Sequence, residues 1–471
     1  MSKAAGQEIY PPDSDSALGS VTLTDPGKVA GVVAAAASAR PAWTETAVAE
    51  RAACLDRAAD SLMSRSEELA ELLARESGKP ISQAEFEIGG SISLLRANAT
   101  EGRKLGGRVL PTEGNFGTEY DLAVTRRVPL GVIAAILPFN FPVELFVEKC
   151  AAALVVGNAV VCKPPLEAPL GVGEFHRALI DAGVPSEVMA LVQGDADVGE
   201  ALVTAPDTAA VSLTGSTAAG LAVARATVDR LRPLHLELGG NNACIVLADA
   251  DLDLVTDEVN RGRLMMNGQA CSASKRVIVD SSLHDALAER LAAVAASKRV
   301  GPASEQETEI GPLINSGAAD RVASQVANAV AEGASLAAGS DSADGAYFSP
   351  AVLAGVPASA GVACDDEIFG PVFTMIPFSG GPTEALEIAN SSSFGLMSSV
   401  FTSDLRVAWS MAERLESGGV VVNGSDNYRP PVIPFGGVKL SGTGREGIGY
   451  TIEDLSREKT IVLRRFRGAD L

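Results

Sequence analysis

The chain has 471 residues, 46% of them hydrophobic and 21% charged, a balance that suits two or three folded units and excludes a disordered polymer. Its 38 basic and 59 acidic residues leave a net charge of −21, which excludes nucleic acid and anionic membrane surfaces as favoured partners. A small anionic cofactor stays open, because backbone N–H groups and one or two lysines hold a phosphate locally.

The opening residues 1–16 carry acids and prolines and no apolar core, so no secretory or transit segment is expected. Residues 25–103 are Ala-rich and read as a helical layer rather than a catalytic one; 106–127 turn polar and β-prone, as a hairpin suited to an oligomer contact. From 131 onward, strand-length apolar runs alternate with amphipathic stretches. Strands are expected at 131–137, 159–162, 188–192 and 210–213, with helices at 143–155, 170–182 and 217–228. The longest apolar stretch, 128–143, is broken by Pro138, Asn140 and Pro142 and is too short to span a bilayer. After Asn242 the pattern restarts, with strands at 243–247 and 276–279 and helices at 252–266, 283–296 and 316–332. The fold class that follows is α/β, with two doubly wound domains and a small β element.

Six scattered cysteines with no CxxC pair point to reduced thiols and a cytoplasmic protein. Three histidines, none at ligand spacing, give no metal site. Cys150, Cys162 and Cys244 fall inside apolar elements and read as core residues, whereas Cys271 lies in a loop, Gly268-Gln269-Ala270-Cys271-Ser272. Lys275 and Arg276 nearby suit it to thiolate character, the alternative being an inert loop cysteine. Glu237, between Leu236 and Leu238 and before Gly239-Gly240, reads either as a desolvated general base or as the outward residue of an alternating strand. Asn140 stands between prolines in Pro138-Phe139-Asn140-Phe141-Pro142, where its amide can meet a developing oxyanion or merely occupy a rigid turn.

Lys163, before Pro164-Pro165, ends a strand at the edge where such sheets bind ligands, unless it is a plain surface lysine. Gly215 and Ser216 join a strand to a helix, as a phosphate-accepting helix start requires. Two other motifs mislead. The GxGxxG at 442–447 follows no clear strand and precedes no convincing helix, so it fails as a dinucleotide fingerprint. Ser272-Ala273-Ser274-Lys275 and Ser425-Asp426-Asn427 match two elements of a serine acyl hydrolase, but the third, Lys-Thr-Gly, is missing.

Taken in order, PFNFP, KPP, LTGST, LELGG, GQACS, EIFGPV and PFGGVKLSGTGREG resemble the aldehyde dehydrogenase superfamily over nearly the whole chain. The resemblance implies oxidation of an aldehyde to the carboxylic acid, with hydride transfer to NAD or NADP. It implies Cys271 as nucleophile, Glu237 as general base, Asn140 as oxyanion donor, and Lys149 and Glu446 as orienting and relay groups. Lys163, Gly215 and Ser216, Glu367 and Phe369 fall on cofactor-binding positions, and Leu166 replaces the Glu with which many NAD-preferring members repel a 2′-phosphate. Glu237 itself disfavours the branch that passes the thioester to a thiol.

The same resemblance sets a cofactor-binding domain at 1–110 and 130–239 and a catalytic domain at 240–455. An oligomerisation element at 111–129 and 456–471 then forms a homodimer or homotetramer. It places Phe139, Phe141, Glu144, Leu145, Glu148, Tyr428 and Arg429 at the substrate funnel, with Arg429 suited to a carboxylate or phosphonate and Glu148 to an amine, the alternative for each being a solvated rim charge. The competing readings are a catalytically silent member kept as a binding or structural protein, and the serine acyl hydrolase.

Overall fold

Residues 6–466 are described by a computed structural model; the last five residues of the expected oligomerisation element, and the first five of the cofactor-binding domain, lie outside them. Four helices, Pro26–Glu45, Val48–Met63, Ser66–Ser77 and Ile81–Arg103, form the opening layer. The first lies on the strands of the first of two large sheets, and the other three pack on helices Pro142–Val156 and Leu170–Asp181, with Leu55, Leu73, Ile88 and Leu95 in one shared core.

That sheet orders its strands Gly442–Thr443, Leu234–Glu237, Thr208–Thr214, Val132–Ile136, Ala159–Lys163, Met189–Leu191, all parallel except the first. The chain enters at Val132–Ile136, winds outward to one side, then crosses to the other. The switch point of this doubly wound sheet therefore lies between Val132–Ile136 and Thr208–Thr214, whose carboxyl ends lead into Asn140 and Ser216. Helix Pro142–Val156, buried along its length, starts from this edge and stops where Gly157 takes φ 106°. Its last carbonyls, on Val155 and Val156, accept from the buried Arg51 guanidinium at 3.0 and 3.3 Å, which satisfies groups a helix end leaves open.

The second sheet has seven strands, in the order Ser335–Ala338, Ala351–Ala354, Val372–Phe378, Arg276–Asp280, Ala243–Val246, Met397–Phe401, Gly419–Val422. Its central strands are buried on both faces. Ile245, Ile278 and Ile376 feed one core while Cys244, Val277 and Met375 feed the other, the period of two expected of a pleated strand. A separate antiparallel sheet joins Val109–Leu110, Leu122–Pro129 and Ser456–Leu463.

The α/β class agrees with the sequence; of the second sheet, however, only Ala243–Val246 and Arg276–Asp280 were expected, and none of its strands from Ser335 onward. Helix Ala196–Thr204 was not anticipated, although Gly194-Asp195 signals its start and the Asp195 carboxylate accepts the Asp197 N–H. The two-residue strand Gly442–Thr443 takes the false GxGxxG back to the first sheet, pairing with Glu237 and Leu236.

Candidate active site

Residues from both sheets line a cavity of about 730 Å³. The first contributes the carboxyl ends of its strands; the second contributes the turns that precede Ala243–Val246 and Arg276–Asp280. Asn140, Glu237, Cys271, Glu367, Phe369, Gly215, Ser216 and Glu446 all line it. Lys149 and Lys163 do not: Lys149 lies wholly buried behind Glu446, and Lys163 sits further along the first sheet.

Cys271 is delivered by an unusual turn. Met266, Asn267 and Gly268 all hold φ between 51° and 78°, left-handed values that cost a non-glycine residue free energy. Compensation comes from neighbours: Gln83 accepts the Met266 N–H, and the Asn267 side chain donates to Gly78 and Pro312 carbonyls while accepting from Gly311. Gly268 is required for space as well, since a Cβ there would stand 2.2 Å from the Gly370 carbonyl.

The expected thiolate character is corrected by the surroundings. Burial pushes the Cys271 thiol up to about 11, and the charge of Lys275, which acts the other way, does not overcome it. Lys275 spends its ammonium on the Gly240 carbonyl at 2.6 Å, the Cys271 carbonyl at 2.7 Å and Glu367 at 2.7 Å. Arg276 turns away altogether, donating to carbonyls of Asn241, Ala363, Ile388 and Ala389. Lys275→Met should therefore raise the midpoint of Cys271 alkylation by iodoacetamide by about one pH unit, tenfold in thiolate. Labelling rate at Cys271, followed by mass spectrometry across pH, checks it; an unmoved profile would show that the lysine's charge does not reach the sulfur.

Glu237 is not the outward residue of an alternating strand. It is fully buried, neither carboxylate oxygen has a hydrogen-bond partner among the described residues, and Gly436 leaves the space beside it, where a Cβ would stand 2.8 Å from Oε1. Burial, then the charge of Glu446, raise its pKa well above the carboxylate range, against the pull of Lys149 and Arg429. Glu446 shows the opposite outcome in the same place. Burial acts to raise it, yet Lys149 at 2.7 Å and Arg429 at 2.6 Å outweigh that and hold it at about 2.

Asn140 is fixed at three atoms, the first being its Oδ1, which accepts the Phe141 N–H at 3.1 Å. Its Nδ2 donates to the Gln269 carbonyl at 2.8 Å, two residues before Cys271, which leaves its second amide proton for another acceptor. Its own carbonyl accepts from Lys79 at 2.7 Å, and Lys79 is paired with Glu87, both fully buried. Glu87 in turn accepts the Val143 and Glu144 N–H groups at the start of helix Pro142–Val156. Lys79 and Glu87 belong to the opening layer, and sequence reasoning missed them: Gly78-Lys79-Pro80 reads as a helix stop, with nothing local to tie it to residue 140.

On the cofactor side, Ser216 caps helix Thr217–Thr227 by accepting the Ala219 N–H, beside the open Gly215. Thr214, one strand residue earlier, has a buried hydroxyl without a partner. A helix start with unclaimed N–H groups, an orphan hydroxyl and the carboxylate of Glu367 fit a dinucleotide with its phosphates at residue 216. Lys163, half-buried, donates to the Gly194 carbonyl at 2.8 Å. Phe369 stands edge-on to Phe139 with ring centres 6.1 Å apart.

Two funnel expectations change. Glu148 does not face the cavity: it is buried and accepts from the Gly447 N–H and the Thr451 hydroxyl. Arg429 is no solvated rim charge, since it lies 4.1 Å over the Phe435 ring and pairs with Glu446 and Glu144. The serine-hydrolase reading loses its base, because Ser272 donates to Asn427 while every described Lys275 bond goes elsewhere.

The family model for the aldehyde dehydrogenase family matches residues 1–461. The chain belongs to the aldehyde dehydrogenase family. It is 36% identical to a 3-sulfolactaldehyde dehydrogenase of Priestia aryabhattai over 91% of this chain and 89% of that one. It is equally identical to a betaine aldehyde dehydrogenase of Rhizobium etli, over 97% and 93%. Among solved structures, the NADP-dependent glyceraldehyde-3-phosphate dehydrogenase of Bacillus halodurans, complexed with NADP, superposes with a TM-score of 0.94 at 34% identity, covering 98% and 96%. The enzyme is an NAD(P)-dependent aldehyde dehydrogenase that oxidises an aldehyde to the carboxylic acid. No helix among the described residues is long and apolar enough to cross a membrane.

Proposed function

We propose that Cys271 is the nucleophile, Glu237 the general base, and Asn140 with the Cys271 backbone N–H the oxyanion donors. One observation carries this reading: the thiol, the unpartnered carboxyl and the anchored amide line a single cavity although they come from separate parts of the chain. The Cys271 thiol loses its proton and attacks the aldehyde carbon, and the amide of Asn140 stabilises the charge that develops on oxygen. Bound NAD or NADP supplies the hydride acceptor. Glu237 then takes a proton from water attacking the Cys271 thioester, which releases the acid and restores the thiol. Lys149 and Glu446 form a fixed ion pair behind Glu237 that keeps Glu446 charged, while burial and then the charge of Glu446 raise the pKa of Glu237.

Ser216, Gly215, Lys163, Glu367 and Phe369 hold the cofactor in this reading, within a cofactor-binding domain at 1–110 and 130–239, set against a catalytic domain at 240–455. Leu166 presents no charge against a 2′-phosphate, so both cofactors are accepted. The three-stranded sheet, with Ile461, Val462 and Leu463 exposed, supports a homodimer or homotetramer. The six free cysteines agree with a cytoplasmic setting. Reduced-nicotinamide absorbance on an aldehyde panel, with NAD and NADP in parallel, tests the proposal. Turnover with both is expected; rejection of NADP would remove the argument from Leu166. The names of the relatives do not transfer, because sulfolactaldehyde carries an anionic sulfonate and betaine aldehyde a cationic quaternary ammonium.

A further inference from the structure

The substrate end of the cavity is lined by Phe86, Phe141, Leu145, Met265, Tyr428 and Phe435. Charged groups also reach it, and each of those described already faces an opposite charge. Arg429 lies between Glu446 at 2.6 Å and Glu144 at 3.8 Å, and the other oxygen of Glu446 is held by Lys149 at 2.7 Å. Arg261 lies 3.5 Å from Glu258, which also accepts the Ser425 N–H at 2.9 Å. Arg429 is thus covered by carboxyl groups, with the buried Glu148 near it as well, and Arg261 faces one.

We infer that the substrate is an uncharged aldehyde with an aromatic or bulky apolar tail, an inference that rests on the dehydrogenase reading above. An anionic tail reaching Arg429 would compete with the carboxylate of Glu144 and be repelled by it. A cationic tail reaching Glu144 would meet the guanidinium of Arg429. Either also leaves its water for a largely aromatic wall without a free counter-charge. An aromatic tail loses apolar surface to that wall and meets no unpaired charge.

The test compares kcat/KM for benzaldehyde and phenylacetaldehyde with that for succinic semialdehyde and betaine aldehyde. The aromatic pair is expected to lead both charged aldehydes by about tenfold or more. A charged aldehyde that equals or exceeds them overturns the inference while leaving the dehydrogenase standing. No turnover of any aldehyde, with nicotinamide binding intact, overturns the dehydrogenase reading and this one with it. Glu144→Gln supplies an internal ratio: freeing Arg429 should raise succinic semialdehyde relative to benzaldehyde by about tenfold. An unchanged ratio in a folded variant would show that Glu144 does not neutralise Arg429, and would overturn the inference.

Discussion

Cys271→Ala should reduce aldehyde-dependent nicotinamide reduction by at least about a thousandfold, because no other described thiol reaches the cavity. Cys54, Cys150, Cys162 and Cys244 are buried in the cores, and Cys364 lies outside the lining. The substitution removes one sulfur from a cavity wall, so the thermal midpoint and cofactor binding should change little. Steady-state absorbance and a melting curve on the same sample separate loss of chemistry from loss of fold. Turnover near the wild-type rate would end the nucleophile assignment.

Glu237→Gln should divide the reaction into a fast half and a slow half. The amide keeps the shape of the carboxyl but takes no proton, so one equivalent of reduced nicotinamide should appear quickly. The steady state should then run about a hundred- to ten-thousandfold slower than wild type. The pH profile gives a second reading. In the wild type the carboxyl must lose its proton to act, and burial together with Glu446 raises its pKa. The rate of deacylation should therefore climb as pH rises through a value above the ordinary carboxylate range, and that acid limb should vanish in the variant. Unchanged steady-state turnover, or an acid limb that persists, would remove Glu237 from the base role.

Much of this site is legible in the chain because its parts are local. Pro138 to Pro142, Gly215-Ser216 and Gly268 to Cys271 are each a few residues joining one element to the next, and backbone preference alone marks them as turns at element ends. Cys244 shows the same legibility in the negative: strand periodicity makes it a core residue, and it is one. Lys79 and Glu87 were illegible for the opposite reason. Their contacts to Asn140 and to the N–H groups of Val143 and Glu144 cross 56 to 61 residues, and no pattern within the first helices encodes such a partner.

By itself the sequence determined the α/β class and the order of most elements up to residue 332, since periodicity and turn chemistry act over short stretches; the candidate reacting side chains came from the resemblance of its ordered motifs to a family. Only the tertiary structure decided the protonation of those side chains. Burial raises the pKa of Cys271 and of Glu237 because it removes the water that would stabilise their charge, while Glu446 is held low beside Lys149, 297 positions away along the chain. The pairing that silences Arg429 was decided in the same way. Desolvation and Coulomb attraction depend on distance through space, and a linear order of residues carries no such distance.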